Sequence, residues 1–589
     1  MSTRYTSSTI RDHLAFLYGD PTGRAAFEHL CGILNHYRSL PSPVERGGSQ
    51  EGLSHQDTIL ITYGDQFNKP GESPLRTLAE FAQRYFDGLI GAIHILPFYP
   101  YSSDDGFSVI DYRAVDPALG TWDDVERLGQ SFRLMFDAVI NHVSARNEWF
   151  QRFLRDDPAY RDWFIVVDEG VDLSKVVRPR ALPLLTRFDT PSGPKHVWTT
   201  FSGDQIDLNY INPDVLLEII DLLLAYVSRG AQLIRLDAIA YLWKTIGTPC
   251  IHLPQTHRVI QLFRAVLDEV APHVLLITET NVSHSDNLSY FGNGHNEAQM
   301  VYNFALPPLT LHAFHTGDAR ILSRWASSLT PPSERTTFFN FLASHDGIGL
   351  NPARGTQGVS DAAIDALVER VQAHGGFVSM KNNPDGTRSP YELNINYFDA
   401  LSDPHGDEPI ETQVDRFMAA QAIMLSLVGV PGIYVHSLLG SRGDRVGVER
   451  TGRYRSINRQ KFDLDQLESE LADPDSLHSR VLRRYTALLR ARASQPAFDP
   501  HAEQRVIEAN PAVFALLRLA RENHADVLCL HNVSGQAQRF ETVLDRPDSV
   551  ATDLFTGKVF SVDPDGRLGL TFAPYQVLWL MIEGGGVNE

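Results

Sequence analysis

Ile234-Arg-Leu-Asp237-Ala238 is the stretch that decides the fold, because it is an apolar run typical of a buried strand and it ends on an acid. Two other apolar runs also end on an acid, Glu279 in one and Asp346 in the other. A buried carboxylate costs free energy unless it is paired or hydrogen-bonded. Three acids at equivalent strand ends therefore predict one converging acidic pocket.

Eight such apolar runs alternate with longer amphipathic segments along the chain. They are Thr58–Tyr63, Ala92–Pro97, Leu134–Ile140, Gln232–Leu236, Val274–Thr278, Met300–Phe304, Thr337–Leu342 and Gly432–Val435. Continuous apolar strands separated by helical patterns are typical of parallel strands buried on both faces. The count predicts a (β/α)8 TIM barrel, an α/β fold whose chemistry lies at the carboxyl ends of its strands. An open doubly wound sheet is the alternative, but no GxGxxG motif follows the first strand.

The spacing of the runs divides the 589 residues into a barrel and its additions. We predict a helical extension at 1–55, the barrel at 56–143, 213–346 and 414–497, an inserted domain B at 144–212, an inserted loop domain B′ at 347–413, and a C-terminal antiparallel β domain at 498–589. Both insertions are too long for simple connections and emerge on the catalytic face. The polar stretch Gly47–Gly52 closes the extension, which is either a homodimer contact or a cover for the side of the barrel.

Composition argues against several classes of function. The formal net charge of −20 disfavours binding of nucleic acid through a basic surface. Cys31, Cys250 and Cys529 lie far apart without a CxxC motif, which fits a reducing compartment. The chain starts without an apolar stretch of signal-peptide type, and no run approaches the roughly 18 apolar residues of a membrane span, so we expect a cytoplasmic protein. No ligand spacing indicates a metal site, and we expect neither metal nor cofactor.

The three acids suit retaining glycosyl transfer. That reaction needs two carboxyl groups about 5 Å apart, one to attack the anomeric carbon and one to exchange protons with the departing and entering oxygens. A third acid can stabilise the positive charge that develops on the sugar. The alternative at this point is structural, because the acids could form strand-end ion pairs with Arg235 and its neighbours.

Several stretches of the chain resemble glycoside hydrolase family 13, the α-amylase family. Its four signature regions are matched by Asp137-Ala-Val-Ile-Asn-His142, Arg235-Leu-Asp-Ala238, Ile277-Thr-Glu-Thr280 and Ser344-His-Asp346. The sucrose phosphorylase branch is matched by His94–Phe98, Asp104–Phe107, Gly120–Val125, Phe304–Pro308, His345–Gly349 and Ser456–Arg459. The resemblance spans roughly residues 57–495 and implies the barrel fold and transfer of a glucosyl unit.

The resemblance also implies roles for individual residues. Asp237 matches the nucleophile, Glu279 the general acid/base and Asp346 the residue that stabilises the transition state. The glucose subsite is expected to contain His142, Arg235, His345, the platform Phe107, and Asp104 paired with Arg455 at the closed end of the pocket. Arg180, in the segment Arg178-Pro-Arg180, matches an arginine that contacts phosphate.

Departures from the sucrose enzymes indicate the acceptor. The extension at 1–55, the pair Thr280-Asn281 and the loop after Asp346 look like those of the glucosylglycerate phosphorylases of the same branch. A glycerate carboxylate needs cations or amide donors, and the candidates are Asn281, Arg354, Lys381 and Arg388.

The function that the resemblance implies is reversible phosphorolysis of 2-O-α-D-glucosyl-D-glycerate to α-D-glucose 1-phosphate and glycerate. The partners would then be a small glucoside and inorganic phosphate. Three alternatives stay open on the sequence: phosphorolysis of sucrose, sucrose 6-phosphate or glucosylglycerol, hydrolysis instead of phosphorolysis, and a barrel that has lost catalysis and serves as a binding subunit.

Overall fold

Eight parallel strands form a closed barrel at the centre of the computed structural model, which describes residues 2–40, 52–354, 359–383, 386–521 and 524–583. In chain order the strands are β1 (Ile59–Thr62), β2 (Ala92–Ile95), β3 (Arg133–Ala138), β4 (Ala231–Leu236), β5 (Leu275–Thr278), β6 (Met300–Tyr302), β7 (Thr337–Asn340) and β8 (Val430–Tyr434). Each of the eight predicted runs contains or overlaps one of them. The predicted (β/α)8 barrel is confirmed.

The barrel closes because β1 pairs with both β2 and β8. Nearly every strand residue is buried, which accounts for runs that are continuously apolar and do not alternate. Gly432 of β8 is required by packing, since a Cβ atom there would lie 2.2 Å from the ring of Phe339 on β7.

A helix follows each strand and covers the outside of the barrel. These helices are Pro74–Phe86, Trp122–Gly129, Pro213–Ser228, Pro254–Val270, His284–Leu288, Leu306–Thr316, Ile410–Ser426 and Leu477–Ala493. Further helices are Glu148–Leu154, Arg320–Ser327, Tyr397–Leu401, Val435–Leu439, Arg445–Thr451 and Leu464–Ala472. No helix in the described part of the chain is long and apolar enough to cross a membrane.

Two insertions rise from the carboxyl ends of the strands. Between β3 and its helix, His142–Ser144 pairs with Gln205–Asp207, and Leu185–Thr190 pairs with Gly193–Trp198. After β7, the helix Asp361–Ala373 accompanies a three-stranded antiparallel sheet made of Ile348–Gly349, Phe377–Asn382 and Arg388–Asn394. Both insertions therefore lie above the carboxyl ends of the barrel strands.

The N-terminal extension is a pair of antiparallel helices, α1 (Ser2–Tyr18) and α2 (Asp20–Arg38). Gly23 lets them approach closely, because a Cβ atom there would lie 2.7 Å from the carbonyl oxygen of Leu14. The pair packs against the helices that follow β3 and β4 and so covers the side of the barrel. The predicted polar boundary at Gly47–Gly52 lies, except for Gly52, outside the described residues.

The C-terminal region is antiparallel β structure, as the sequence predicts. Six strands form one sheet in the order Gln504–Val506, Val513–Arg518, Asp526–Asn532, Val577–Glu583, Val550–Asp553 and Val559–Ser561. A separate ribbon pairs Gln538–Val543 with Arg567–Phe572.

Arg492, on the helix after β8, is buried at the base of the barrel and bonds to main-chain carbonyls. Its guanidinium donates to the carbonyls of His55, Asp57, Leu425, Gly429 and Phe498. This one side chain therefore joins the segment before β1 to the segments that flank β8.

We predict that Arg492→Met lowers the free energy of unfolding by about 3 kcal/mol or more, because several buried carbonyls lose their donor. The midpoint of urea unfolding, followed by circular dichroism, measures the loss. Arg490→Met is the matched control, since Arg490 lies on the same helix and is exposed. Equal midpoints for the two variants would contradict the assigned role.

Candidate active site

The carboxyl ends of the barrel strands open into one polar pocket. Asp237 follows β4, Glu279 follows β5 and Asp346 follows β7, and all three acids line this pocket. The first insertion supplies Pro179, Arg180, Phe201 and Gln205, and the second supplies Tyr391 and Glu392. The structure therefore brings the three predicted acids together.

Arg235 holds the predicted nucleophile from below. Its Nη1 donates to Asp237 Oδ1 at 2.9 Å and also pairs with Asp137, which lies opposite Arg235 in the register of β3 and β4. Asp137 in turn bonds to His94 Nε2 at 2.7 Å. All four side chains are almost completely buried, so each charge requires its partner.

A strained turn connects the first two acids. Ala238 has a φ of +48°, in the left-handed region that residues other than glycine rarely adopt. The turn directs the Ala238 N–H to Glu279 Oε2 at 3.0 Å. Such strain persists only where surrounding structure enforces it, and here it holds the predicted acid/base beside the predicted nucleophile.

The three acids differ in their electrostatic surroundings. Burial raises the pKa of Asp237 well above its usual range despite Arg235, and burial also raises the pKa of Glu279. Burial opposes ionisation of Asp346 as well, but Arg455 and its neighbours lower the pKa of that carboxyl. Of the first two acids, Asp237 accepts a hydrogen bond from Arg235, whereas Glu279 accepts one from the Ala238 N–H.

The predicted pair of Asp104 with Arg455 is wrong. Arg455 Nη1 lies 2.5 Å from Asp346 Oδ1, and its other side forms a bidentate pair with Glu392 at 3.0 and 2.6 Å. Arg459 takes the predicted place, 3.8 Å from Asp104 and 2.5 Å from Asp105. The tight turn Tyr454–Asn458 decides which arginine faces which acid.

The signal for Arg459 was present in the sequence. Arg459 ends the stretch Ser456-Ile-Asn-Arg459, which carried part of the resemblance, but the role was assigned to Arg455. Glu392 was missed because its partner was misassigned. Asp104 also faces Arg180 at 3.6 Å, so this carboxyl lies between two arginines.

Aromatic and imidazole rings line the same wall. Phe107 stacks on His345 with a centroid distance of 4.7 Å and an interplanar angle of 7°. Burial lowers the pKa of His345 to about 3, so its ring is neutral near pH 7. His142 Nε2 lies 2.9 Å from the carbonyl oxygen of Phe107. All three predicted residues therefore lie at the pocket.

The predicted acceptor residues separate into two groups. Asn281 and Arg180 line the pocket, and Asn281 Nδ2 donates to Tyr391 Oη at 3.3 Å. Arg354, Lys381 and Arg388 do not line it, and for them the prediction is wrong.

The three cations outside the pocket have other surroundings. Arg354 pairs with Asp361 at 3.0 Å, and Lys381 Nζ donates to Asn351 at 2.7 Å. Arg388 is exposed at the start of the last strand of its sheet. The sequence shows that a long loop is positively charged but not which way its side chains point. Tyr391 and Tyr241 also line the pocket, and the sequence contains no signal for either of them.

No group of three or more histidine, cysteine, aspartate or glutamate side chains in the described ranges is arranged as metal ligands. The buried carboxylate Asp207, under the first insertion, is instead bonded to Lys244 Nζ at 2.6 Å. The buried Asp207 is thus paired with a protein side chain, that of Lys244.

Residues 84–349 match the family described as "Alpha amylase, catalytic domain". The match contains β2 to β7 and all three acids, so the class is an α-amylase-type catalytic barrel. A crystal structure of sucrose 6F-phosphate phosphorylase from Thermoanaerobacter thermosaccharolyticum agrees in fold, with a TM-score of 0.71 at 24% identity over 89% of this chain and 98% of that one.

Proteins of similar sequence identify the family within this class. Glucosylglycerate phosphorylase of Spirochaeta thermophila is 54% identical over 97% of this chain and 98% of its own length, and that of Escherichia coli K12 is 45% identical over 97% and 99%. Sucrose phosphorylase of Agrobacterium vitis is 32% identical over 75% of this chain and 88% of its own length. The chain belongs to the glucosylglycerate phosphorylase family.

The raised pKa of Glu279 predicts that this acid destabilises the fold. A carboxyl whose pKa is higher in the folded than in the unfolded chain costs stability when it ionises. Glu279→Gln should therefore raise the free energy of unfolding at pH 7 by on the order of 1 kcal/mol. The gain should shrink as the pH falls toward about 4.3, the pKa of an unperturbed glutamate.

Thermal unfolding by circular dichroism at several pH values measures this gain. Glu334→Gln is the control, because Glu334 is 89% exposed at the surface. A lower midpoint for Glu279→Gln than for the wild type at pH 7 would refute the prediction.

Proposed function

We propose that this protein is a retaining glycoside phosphorylase that converts 2-O-α-D-glucosyl-D-glycerate and phosphate to α-D-glucose 1-phosphate and D-glycerate, reversibly. The observation that carries the proposal is 45–54% identity, from end to end, to three proteins named glucosylglycerate phosphorylase. The pocket of three acids supports it, because two carboxyls are the requirement of a double displacement.

The first displacement forms a covalent intermediate. An oxygen of Asp237, held by Arg235, attacks the anomeric carbon while the bond from that carbon to glycerate O2 breaks. Glu279 gives its proton to the departing oxygen, which leaves as the hydroxyl of glycerate. The product is a β-glucosyl ester of Asp237. Asp346, kept anionic by Arg455, stabilises the positive charge that develops on the sugar.

The second displacement restores the enzyme. A phosphate oxygen attacks the anomeric carbon from the side that glycerate left, and Asp237 departs as a carboxylate. Glu279 accepts the proton that phosphate loses. Two inversions give net retention, so the product is the α-anomer.

The glucosyl unit lies between Phe107 and the closed end of the pocket in this proposal. Asp104, which Arg459 approaches to 3.8 Å, offers hydrogen bonds to its far hydroxyls, and His142 and His345 lie beside the hydroxyls nearer the reacting carbon. An end closed by ion pairs admits one terminal glucosyl unit and excludes the interior of a polysaccharide.

One arginine serves both acceptors in turn. The arginines among the described pocket-lining residues are Arg180 and Arg455, and Arg455 is already bonded to Asp346 and Glu392. Arg180 has a longer ion pair, with Asp104 at 3.6 Å, and its side chain is 31% exposed. Its planar fork suits a carboxylate and a phosphate equally well. Glycerate and phosphate therefore compete for Arg180, which fits a reaction in which one leaves before the other binds.

The protein is proposed to act in the cytoplasm, since its three cysteines are free thiols and suit a reducing compartment. Glucoside and phosphate are its small-molecule partners. That the protein forms a homodimer stays a prediction.

A donor screen tests the substrate. The wild-type enzyme is incubated with phosphate and each of four donors, namely glucosylglycerate, sucrose, sucrose 6-phosphate and glucosylglycerol, and glucose 1-phosphate is measured. We expect kcat/KM for glucosylglycerate to exceed the others by at least about 100-fold, because a buried polar subsite rejects an acceptor that leaves it unpaired.

Glu279→Gln supplies the background rate of the screen, because an amide cannot exchange the proton. A higher rate with sucrose overturns the substrate, and accumulation of free glucose in place of glucose 1-phosphate overturns phosphorolysis. An inactive wild-type protein would favour a binding subunit.

Arg180→Gln tests the shared acceptor site. The KM for phosphate and the KM for glycerate in the reverse reaction should both rise by about tenfold or more, because each loses a charge-assisted hydrogen bond. Hydrolysis of α-glucosyl fluoride, which needs neither acceptor, should change little. Arg178→Gln is the control, since Arg178 lies two residues away and outside the pocket. A change in only one of the two KM values would show that the acceptors use different cations.

A further inference from the structure

Lys244 is a buried lysine that the proposed reaction does not use. It lies in the loop after β4 and is 5% exposed. Its Nζ donates to Asp207 Oδ2 at 2.6 Å and to Asn141 Oδ1 at 2.9 Å. Burial of an ammonium is costly, so this position requires the two acceptors it has.

Asp207 is the counter-ion of Lys244 and is fully buried. Besides Lys244, it accepts hydrogen bonds from the Thr200 N–H at 2.7 Å, the Thr200 hydroxyl at 2.7 Å and Asn141 Nδ2 at 3.0 Å. Four donors therefore surround the two oxygens of the Asp207 carboxyl group.

This network determines the orientation of the Asn141 amide. An ammonium can only donate and a carboxylate can only accept, so the amide oxygen must face Lys244 and the amide nitrogen must face Asp207. The same nitrogen lies 3.3 Å from His142 Nδ1. The amide therefore presents a donor to that ring nitrogen.

The orientation of Asn141 selects one tautomer of His142. A ring nitrogen that faces a donor must accept, which places the single proton of the neutral ring on Nε2. The carbonyl oxygen of Phe107, 2.9 Å from Nε2, can only accept and requires the same tautomer. Gln205 Nε2 also lies 3.2 Å from His142 Nε2, but it directs its two hydrogens to the Phe107 carbonyl at 3.0 Å and to Asp104 Oδ2 at 3.5 Å. Gln205 therefore places no donor on that ring nitrogen. Burial lowers the pKa of His142, which keeps the ring neutral.

We propose that Lys244 is a positioning residue for glucosyl transfer, because it fixes, through Asp207 and Asn141, the tautomer in which the Nε2–H of His142 bonds to the Phe107 carbonyl and holds both rings at the wall of the pocket. The kinetic part of this inference rests on the proposed function, whereas the tautomer itself does not. Lys244 touches neither substrate nor the three acids and acts only through the amide.

Removal of Lys244 leaves the Asp207 charge without its ammonium. A buried carboxylate in that state takes up a proton. Protonated Asp207 can donate to an Asn141 amide of reversed orientation, whose oxygen then faces both Asp207 and His142. The His142 ring would then carry its proton on Nδ1 and would lose the Nε2–H bond to the Phe107 carbonyl.

Magnetic resonance of the intact protein tests the tautomer directly. Histidine labelled with 13C and 15N reports which ring nitrogen carries the proton, and His142→Gln identifies the His142 signals by their loss. The wild-type protein should show the Nε2–H form at pH 7. In Lys244→Met, whose side chain is apolar and of similar length, the His142 signals should shift to the Nδ1–H form or to a mixture.

The kinetic measurement accompanies the spectra. The kcat/KM for phosphorolysis should fall about tenfold or more in Lys244→Met, as for other residues that orient a ligand-binding histidine. Lys195→Met is the control, because Lys195 lies in the same insertion as Asp207, outside the pocket, and its ion pair with Asp156 is 3.9 Å long. It should match the wild type in both measurements.

If Lys244→Met does not fold stably, the double variant Lys244→Met with Asp207→Asn is used in its place. The double variant carries no unpaired charge at this position. A His142 that keeps the Nε2–H form in either folded variant overturns the proposal, as does an Nδ1–H form in the wild type. A wild-type protein without phosphorolysis would refute the proposed function alone, since the spectra decide the tautomer without any substrate.

Discussion

The guanidinium of Arg235 lies buried between Asp137 and Asp237, and the site depends on this arrangement. Removing such charges from water costs several kcal/mol per ion unless each is paired with good geometry. The geometry comes from the barrel, because β3 and β4 must pair in one register to place Asp137 opposite Arg235. Only then can Arg235 pair with both Asp137 and Asp237. The chemistry therefore follows from charge balance inside the barrel and not from the acids alone.

The sequence predicted the barrel because its strands are buried on both faces, and burial on both faces produces continuous apolar runs. It also predicted where the three acids lie, since acids at the ends of parallel strands must meet at one face of a barrel. Phe107, His142 and His345 followed from the same reasoning and the resemblance. These residues are carried by strand ends or short turns, whose positions the barrel determines.

The sequence did not predict the ion pairs of the loops. The assignment of Arg455 to Asp104 was wrong because a tight turn interchanges two arginines four positions apart. Lys381 and Arg388 were placed at the acceptor on charge alone, and the hairpin that carries them directs them elsewhere. The network of Lys244 was missed because Asn141, Asp207 and Lys244 come from three separate segments of the chain. Such contacts depend on tertiary structure that local patterns do not encode.

Pairing of β1 with β8 has a consequence for biosynthesis. The ribosome delivers β1 to β7 long before β8 and the helix Leu477–Ala493, so the nascent chain carries an open, apolar sheet for most of its translation. Open edges of this kind favour association with other chains. Closure waits for β8, and Arg492 can then bond to the carbonyls that precede β1 and β8. The barrel is thus completed by β8 and by the helix Leu477–Ala493, which carries Arg492. We expect a chain that ends before this helix to be bound by chaperones or degraded by proteases.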